Sequence, residues 1–193
     1  MGFRSLRVLN EDVVQWCMVC CTRPHRDMEI VTIILEGALT HEDSMGSQAT
    51  LTPGIVQRMS AGTGITHSEM NLSDTPTHLF QTWMLPDRAG HEPRYEDRAF
   101  PLEDRQNRLR LLVSPDARDG SLDVHQDVFL YDAEPAAGGD TPRELPPGRQ
   151  AWNYLAHLAL RENRPPLYAS AAASVAHEPS VALPAGRYAA GTR

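Results

Sequence analysis

Apolar residues along this chain come in short runs separated by clusters of Gly, Pro, Asp and Asn. The β-branched run IVTIIL, residues 30–35, is apolar on both faces, the pattern of an interior strand covered on both sides. A Glu-Gly turn follows, then the short run ALTHED, then turn clusters at DSMGS and TLTPG. IVQRMSAGTGITHSEMN alternates around a Gly-rich bend at Ala61 to Gly64, and THLFQTWMLP reads as a strand closed by Pro86. Residues 87–107 are polar and Pro-containing and read as a connector. Strand signals resume at RLRLLVSP and LDVHQDVFLY; AAGGDTPRELPPG reads as loop. AWNYLAHLAL is compatible with strand or helix, and the tail from about Ala169 is Ala-rich with little periodicity. Short strands at this spacing predict a sandwich or barrel, arranged as two small β domains with the second less well specified.

Composition narrows the function classes. The chain has 193 residues, 41% hydrophobic and 22% charged, enough to bury a core. A net charge of -7 argues against a partner gripped through phosphates. No apolar run approaches the roughly 18 residues of a membrane span. The opening MGFRSLRVLNEDVV has no apolar leader core, so the expected compartment is the cytoplasm. Cys17, Cys20 and Cys21 all fall in CMVCC. A zinc site would need a second ligand pair, and a thioredoxin-like site a following helix. They are read as free thiols in a reducing compartment.

Residues two apart on a strand share a face, so His67 and Glu69 point together. A facing β segment carrying His25 would complete two imidazoles and one carboxylate, the facial triad that holds non-haem Fe(II) with open positions. On spacing alone an isolated His-x-Glu is more often a surface or hydrogen-bonding feature. His41, Glu42 and Asp43 cannot all converge, because successive residues alternate faces; His41 reads as part of a strand-end turn or as a pocket residue. Glu29 reads as structural or supporting, and His78 and His125 as hydrogen-bonded strand residues. His91, His157 and His177 read as surface, and Met28, Met59 and Met70 as core filler. Asn71 either supports the site or ends its strand.

The segments RPHRDMEIVTIILEGALTHEDSMG and TPGIVQRMSAGTGITHSEMN, continued by HLFQTWMLP, PRYEDRAF, RLRLLVSPD and DGSLDVHQDVFLY, strongly resemble the pirin family of bicupins. The resemblance covers roughly residues 1 to 160. It implies an all-β fold of two cupin-type β-barrels (double-stranded β-helices) packed face to face. Residues 1–98 would form the N-terminal, metal-site barrel and 99–193 the C-terminal cupin-like barrel. The family also implies one mononuclear metal, usually iron, in the first barrel. Some members resemble quercetin 2,3-dioxygenase; others act as transcriptional cofactors. Carried over, the metal ligands are His25, His67 and Glu69, with Glu69 also the catalytic residue that would accept the substrate hydroxyl proton.

The family's first histidine falls on Arg23. A guanidinium stays protonated and has only donors, so it cannot ligate a cation. Two outcomes are open: Fe(II) held more weakly by three ligands, or a metal-free pocket with Arg23 paired to Glu69. The family's Gly- and Phe-containing stretch before the His-Pro-His segment is replaced by QWCMVCCTR, and relatives carry an N-terminal segment before the position where this chain begins. The expectation is a divergent, N-terminally truncated member. It would have weak or lost flavonol dioxygenase activity, or be a non-catalytic binding protein for a partner protein or small metabolite. No nucleic-acid or membrane partner is expected.

Overall fold

The computed structural model describes residues 4–16, 22–136, 143–154, 174–176 and 180–181. Among these residues sixteen strands form in chain order: β1 (Leu6–Val14), β2 (Arg23–His25), β3 (Glu29–Glu36), β4 (Leu39–Asp43), β5 (Gln48–Leu51), β6 (Ile55–Ser60), β7 (Ile65–Met70), β8 (Thr77–Met84), β9 (Arg94–Ala99), β10 (Arg110–Ser114), β11 (Leu122–Asp123), β12 (Leu130–Asp132), β13 (Arg143–Glu144), β14 (Ala151–Asn153), β15 (Ser174–Ala176) and β16 (Ser180–Val181). Two single turns of 3-10 helix, Leu102–Asp104 and Arg118–Gly120, are the only helical pieces among the described residues. No described helix is long and apolar enough to cross a membrane.

A five-stranded sheet, ordered β1-β8-β3-β6-β9, and a four-stranded sheet, ordered β2-β7-β4-β5, form the first barrel. The central strand β3 is buried on both faces, as the apolar residues on both of its faces predict. Ile30 joins Met59, Ala61 and Ile65 inside the barrel, and Ile34 joins Leu39, Leu51 and Leu79. The odd-numbered side chains Val31 and Ile33 pack the other way. With Val56, Phe80, Met84 and Phe100 they share one core with Leu112, Val113, Leu122, Val124, Val128, Leu130 and Tyr154 of the second half. The two halves are therefore joined through an apolar interface, not strung on a linker. Around it, Arg58, itself buried, is held by Glu96 (3.1 Å) and Asp123 (2.7 Å), and the Tyr154 hydroxyl donates to Glu11.

Three sequence readings are corrected. Residues 94–99 are not connector but an edge strand, paired residue for residue with β6 from Ile55↔Ala99 to Ser60↔Arg94. Their charges hid it: an edge strand has one covered margin and tolerates Arg, Glu and Asp, which apolar periodicity does not register. LDVHQDVFLY is not one strand; it breaks into β11 and β12, both pairing with β10, with a bend over residues 125–127. The opening residues, to which no strand was assigned, form β1, which pairs with β8 along its whole length. The cysteines, His157 and His177 lie outside the described residues, as does most of the Ala-rich tail.

Candidate metal centre

The four-stranded sheet sets the site by register. On β7, Ile65, His67 and Glu69 share the inward face. Arg23 of β2 lies directly opposite His67, and His25 opposite Ile65. On the other flank Asp43 of β4 lies opposite His67, and His41 opposite Glu69. Residues directly opposite in an antiparallel ladder have neighbouring side chains on one face. One row of β2, β7 and β4 therefore presents three imidazoles, two carboxylates and a guanidinium.

His41 is fully buried and His67 nearly so, and each has an Nδ1 atom without a hydrogen-bond partner; His25 has the same at Nε2. The His25 and His67 rings are 4.9 Å apart centre to centre, and His41 and His67 5.4 Å. One ligand-capable atom from each of His41, His67 and Glu69 lies within 4.8 Å of the others. Three donors on one side of an ion, each about 2.1 Å from it, stand about 3 Å apart, so side-chain rotations of up to about 2 Å would close the set on a metal. The donor set itself, imidazoles plus one carboxylate with orphaned ring nitrogens, suits a divalent transition ion.

The facing wall comes from the five-stranded sheet. Gln81 Nε2 donates to Glu69 at 3.1 Å and to Thr32 Oγ1 at 3.0 Å, while Trp83 Nε1 donates to Gln81 Oε1 at 2.7 Å. Thr32 is paired with both Gln81 and Gln57, so these three side chains form one polar row. The Gln57 amide is fully buried with neither polar atom partnered. Trp83 meets His25 edge-on at 4.8 Å, and Tyr95 stacks on His41 at 4.6 Å. A groove of about 300 Å³, lined in part by His25, Ser44, Gly64 and Ile65, lies against β2 and β7.

Burial lowers the His67 pKa from 6.5 to about 4, with His25, His41 and Arg23 pushing the same way. Burial raises that of Glu69 from 4.5 to about 7, opposed by the Gln81 hydrogen bond and by Arg23. His25 is lowered by burial and by Arg23. For Asp43, burial acts to raise the pKa, but hydrogen bonds from His41 and from the Ser47 and Met45 backbone outweigh it and keep it low. In metal-free protein the two large shifts oppose each other. The His67 contribution is complete above pH 6.5 and is lost as pH falls through about 4; the Glu69 contribution is complete below pH 4.5 and is lost as pH rises through about 7. Over the shared window the slopes cancel. Glu69→Gln, melted after chelation, is expected to expose the acid slope, losing up to about 3 kcal/mol between pH 6.5 and 4. A flat profile in that variant would contradict the burial of a neutral His67.

Of the predicted ligands, His67 and Glu69 stand together and His25 stands beside His67. Arg23 is exposed and does not bridge to Glu69, whose hydrogen-bond partner is Gln81. For other residues the structure chooses between open readings or, at His125 and His91, departs from them. His41 is inside the site. Its neighbour Asp43 shares its face and accepts from His41 Nε2 at 3.2 Å, while Glu42 points out to Gln48. Glu29 sits on the other face of its sheet, buried between Ser60 (2.7 Å) and His125 (3.1 Å) at the junction of the two halves. His125 lies in the bend after β11, not in a strand, and His91, read as surface, is buried with its ring stacked on His125 at 3.8 Å. Asn71 ends β7, bonding to Val14 O and Thr75 O. Sequence reasoning missed Gln57, Gln81, Trp83 and Tyr95; no motif marks them, and only strand register brings them to the site.

Fold and site together define a bicupin with a histidine- and carboxylate-lined interior in its first barrel. The Pirin family description matches residues 2–84, and that of a quercetinase C-terminal cupin domain matches residues 111–190. The chain belongs to the pirin family. It is 52% identical to the quercetin 2,3-dioxygenase of Escherichia coli over 132 residues, which is 68% of this chain and 56% of that enzyme. It is 36% identical to a pirin-like protein of Caulobacter vibrioides over 160 residues, 82% of this chain and 68% of the relative. The crystal structure of the bacterial pirin YhhW of Escherichia coli in complex with nickel(II) superposes with a TM-score of 0.80 at 35% identity, covering 99% of this chain and 83% of that one. The chain thus spans little more than half of the Escherichia coli dioxygenase it matches.

Proposed function

We propose that this protein binds one divalent transition metal, Fe(II) in its active form, in the first barrel, and acts as a flavonol-type dioxygenase of reduced metal affinity. The supporting observation is that ligand-capable atoms of His67 and Glu69 lie within 4.8 Å of one another, with unpartnered ring nitrogens on His67 and on its neighbour His25. His25, His67 and Glu69 would hold the ion. A bound metal would orient and polarise an enediol-bearing substrate and supply redox access to O₂.

This chain's own groups do the rest. Glu69 is placed to accept the substrate hydroxyl proton at its carboxylate, and Gln81 fixes that carboxylate in place. The buried Gln57 amide offers an unused donor and acceptor to a second substrate oxygen. Ile30, Met59, Ile65 and Trp83 form the apolar wall that excludes water. Elemental analysis of purified protein, with quercetin loss followed by absorbance under air, tests the reading. Substoichiometric metal that rises on Fe(II) addition, with slow quercetin loss, is expected. A stable fold that takes up no metal and consumes no quercetin favours the second reading, a non-catalytic binding protein. That reading draws on Arg23, whose charge opposes a cation in the site.

A further inference from the structure

We infer that His41, through Nδ1, supplies the ligand that Arg23 cannot, so that this chain's ligand set has moved from one flank of β7 to the other. The inference rests on the metal reading above and goes beyond it, because it assigns a ligand from a different strand. Arg23 and His41 occupy opposite neighbours of the same strand: Arg23 lies across from His67 on β2, and His41 across from Glu69 on β4. Arg23 is exposed, whereas His41 is fully buried and one of its ring nitrogens falls within 4.8 Å of ligand-capable atoms of His67 and Glu69.

The chemistry of His41 is already arranged for coordination. Asp43 Oδ1 accepts backbone N–H groups from Met45 at 2.9 Å and Ser47 at 3.0 Å, so the group is held as a carboxylate. Its Oδ2 faces His41 Nε2 at 3.2 Å. A carboxylate only accepts, so Nε2 carries the proton and Nδ1 carries the lone pair. That is the arrangement in which a carboxylate orients a metal-binding histidine and raises its basicity. Tyr95, stacked at 4.6 Å and 20°, keeps the ring from turning away. A fully buried ring nitrogen with no partner is destabilising, and a cation would satisfy it where nothing else among the described residues does.

His41→Gln keeps an N–H near the Nε2 position for Asp43 and removes the Nδ1 donor. Co(II) titration, followed by its visible d–d bands, should show affinity falling at least tenfold for His41→Gln in the native background. In Arg23→His, where β2 again offers a donor, the same change should cost less than about threefold. Equal losses in both backgrounds would mean that His41 is structural, and native affinity with unchanged bands in His41→Gln would mean that it does not ligate; either overturns the inference while leaving the metal reading intact. If neither the native protein nor Arg23→His takes up Co(II), the metal reading falls and this inference with it. Should His41→Gln fail to fold, Zn(II) added to ¹⁵N-labelled native protein decides the matter: a large shift of the His41 Nδ1 resonance supports ligation, and an unmoved one overturns it.

Discussion

Gly62→Ala should lower stability by about 3–5 kcal/mol and the melting temperature by about 10 °C. Gly62 lies in the bend between β6 and β7 with φ +45°, a left-handed conformation that disfavours a side chain. The larger problem is space. A Cβ built there would stand 2.1 Å from the His91 carbonyl oxygen and 2.9 Å from the Glu92 carbonyl carbon. Those atoms are backbone and pinned: Thr63 N–H donates to His91 O at 2.9 Å, and Asp27 N–H donates to Gly62 O at 2.9 Å. The bend leads directly into the strand that carries His67 and Glu69, so metal uptake should fall with stability. Gly46→Ala is the control. Its φ is +90°, but nothing lies within 4 Å of the added atom, so it should cost only about 1 kcal/mol. Matched thermal melts check both, and equal losses would show that the close approach of His91 is not what requires glycine.

Arg23→His should bind Fe(II) or Co(II) at least tenfold more tightly than the native chain. Two effects combine. The guanidinium acts to lower the pKa values of His25, His67 and Glu69, so its field reaches these three groups and opposes any cation placed among them. At this exposed position, screening leaves about 1–2 kcal/mol of that repulsion. The second effect is a new imidazole directly opposite His67. Arg23→Gln separates them, since it removes the charge and adds no imidazole. Elemental analysis and Co(II) titration should rank the affinities native, then Arg23→Gln, then Arg23→His. If Arg23→His binds no more tightly than Arg23→Gln, the added donor is irrelevant; if neither exceeds the native protein, Arg23 does not control the site.

Much of this was legible in the chain. The doubly apolar run at Ile30 to Leu35 announced a strand covered on both faces, and β3 is that strand. The bend at Ala61 to Gly64, the closing Pro86 and the His-x-Glu pair were all read from residue type and spacing, because within a strand a period of two fixes which side chains share a face. The polar strand at Arg94 to Ala99 was not legible. Edge position frees a strand from the apolar pattern that would reveal it. The burial of His91 against His125 was hidden for a related reason: it depends on a loop of the first half meeting a bend of the second.

The sequence by itself determined the family, several of the strands of the first half, and the presence of a permanent cation two residues before His25. Only the tertiary structure decided which residues share the site with His67 and Glu69. Strand register is a long-range property: it set His41 across from Glu69, laid Thr32, Gln57 and Gln81 in one row, and turned Glu29 to the opposite face. A local pattern says which way a side chain points along its own strand. Its neighbours on the next strand are fixed by packing of the whole sheet, where shifting the pairing by one residue would move every side chain to the other face.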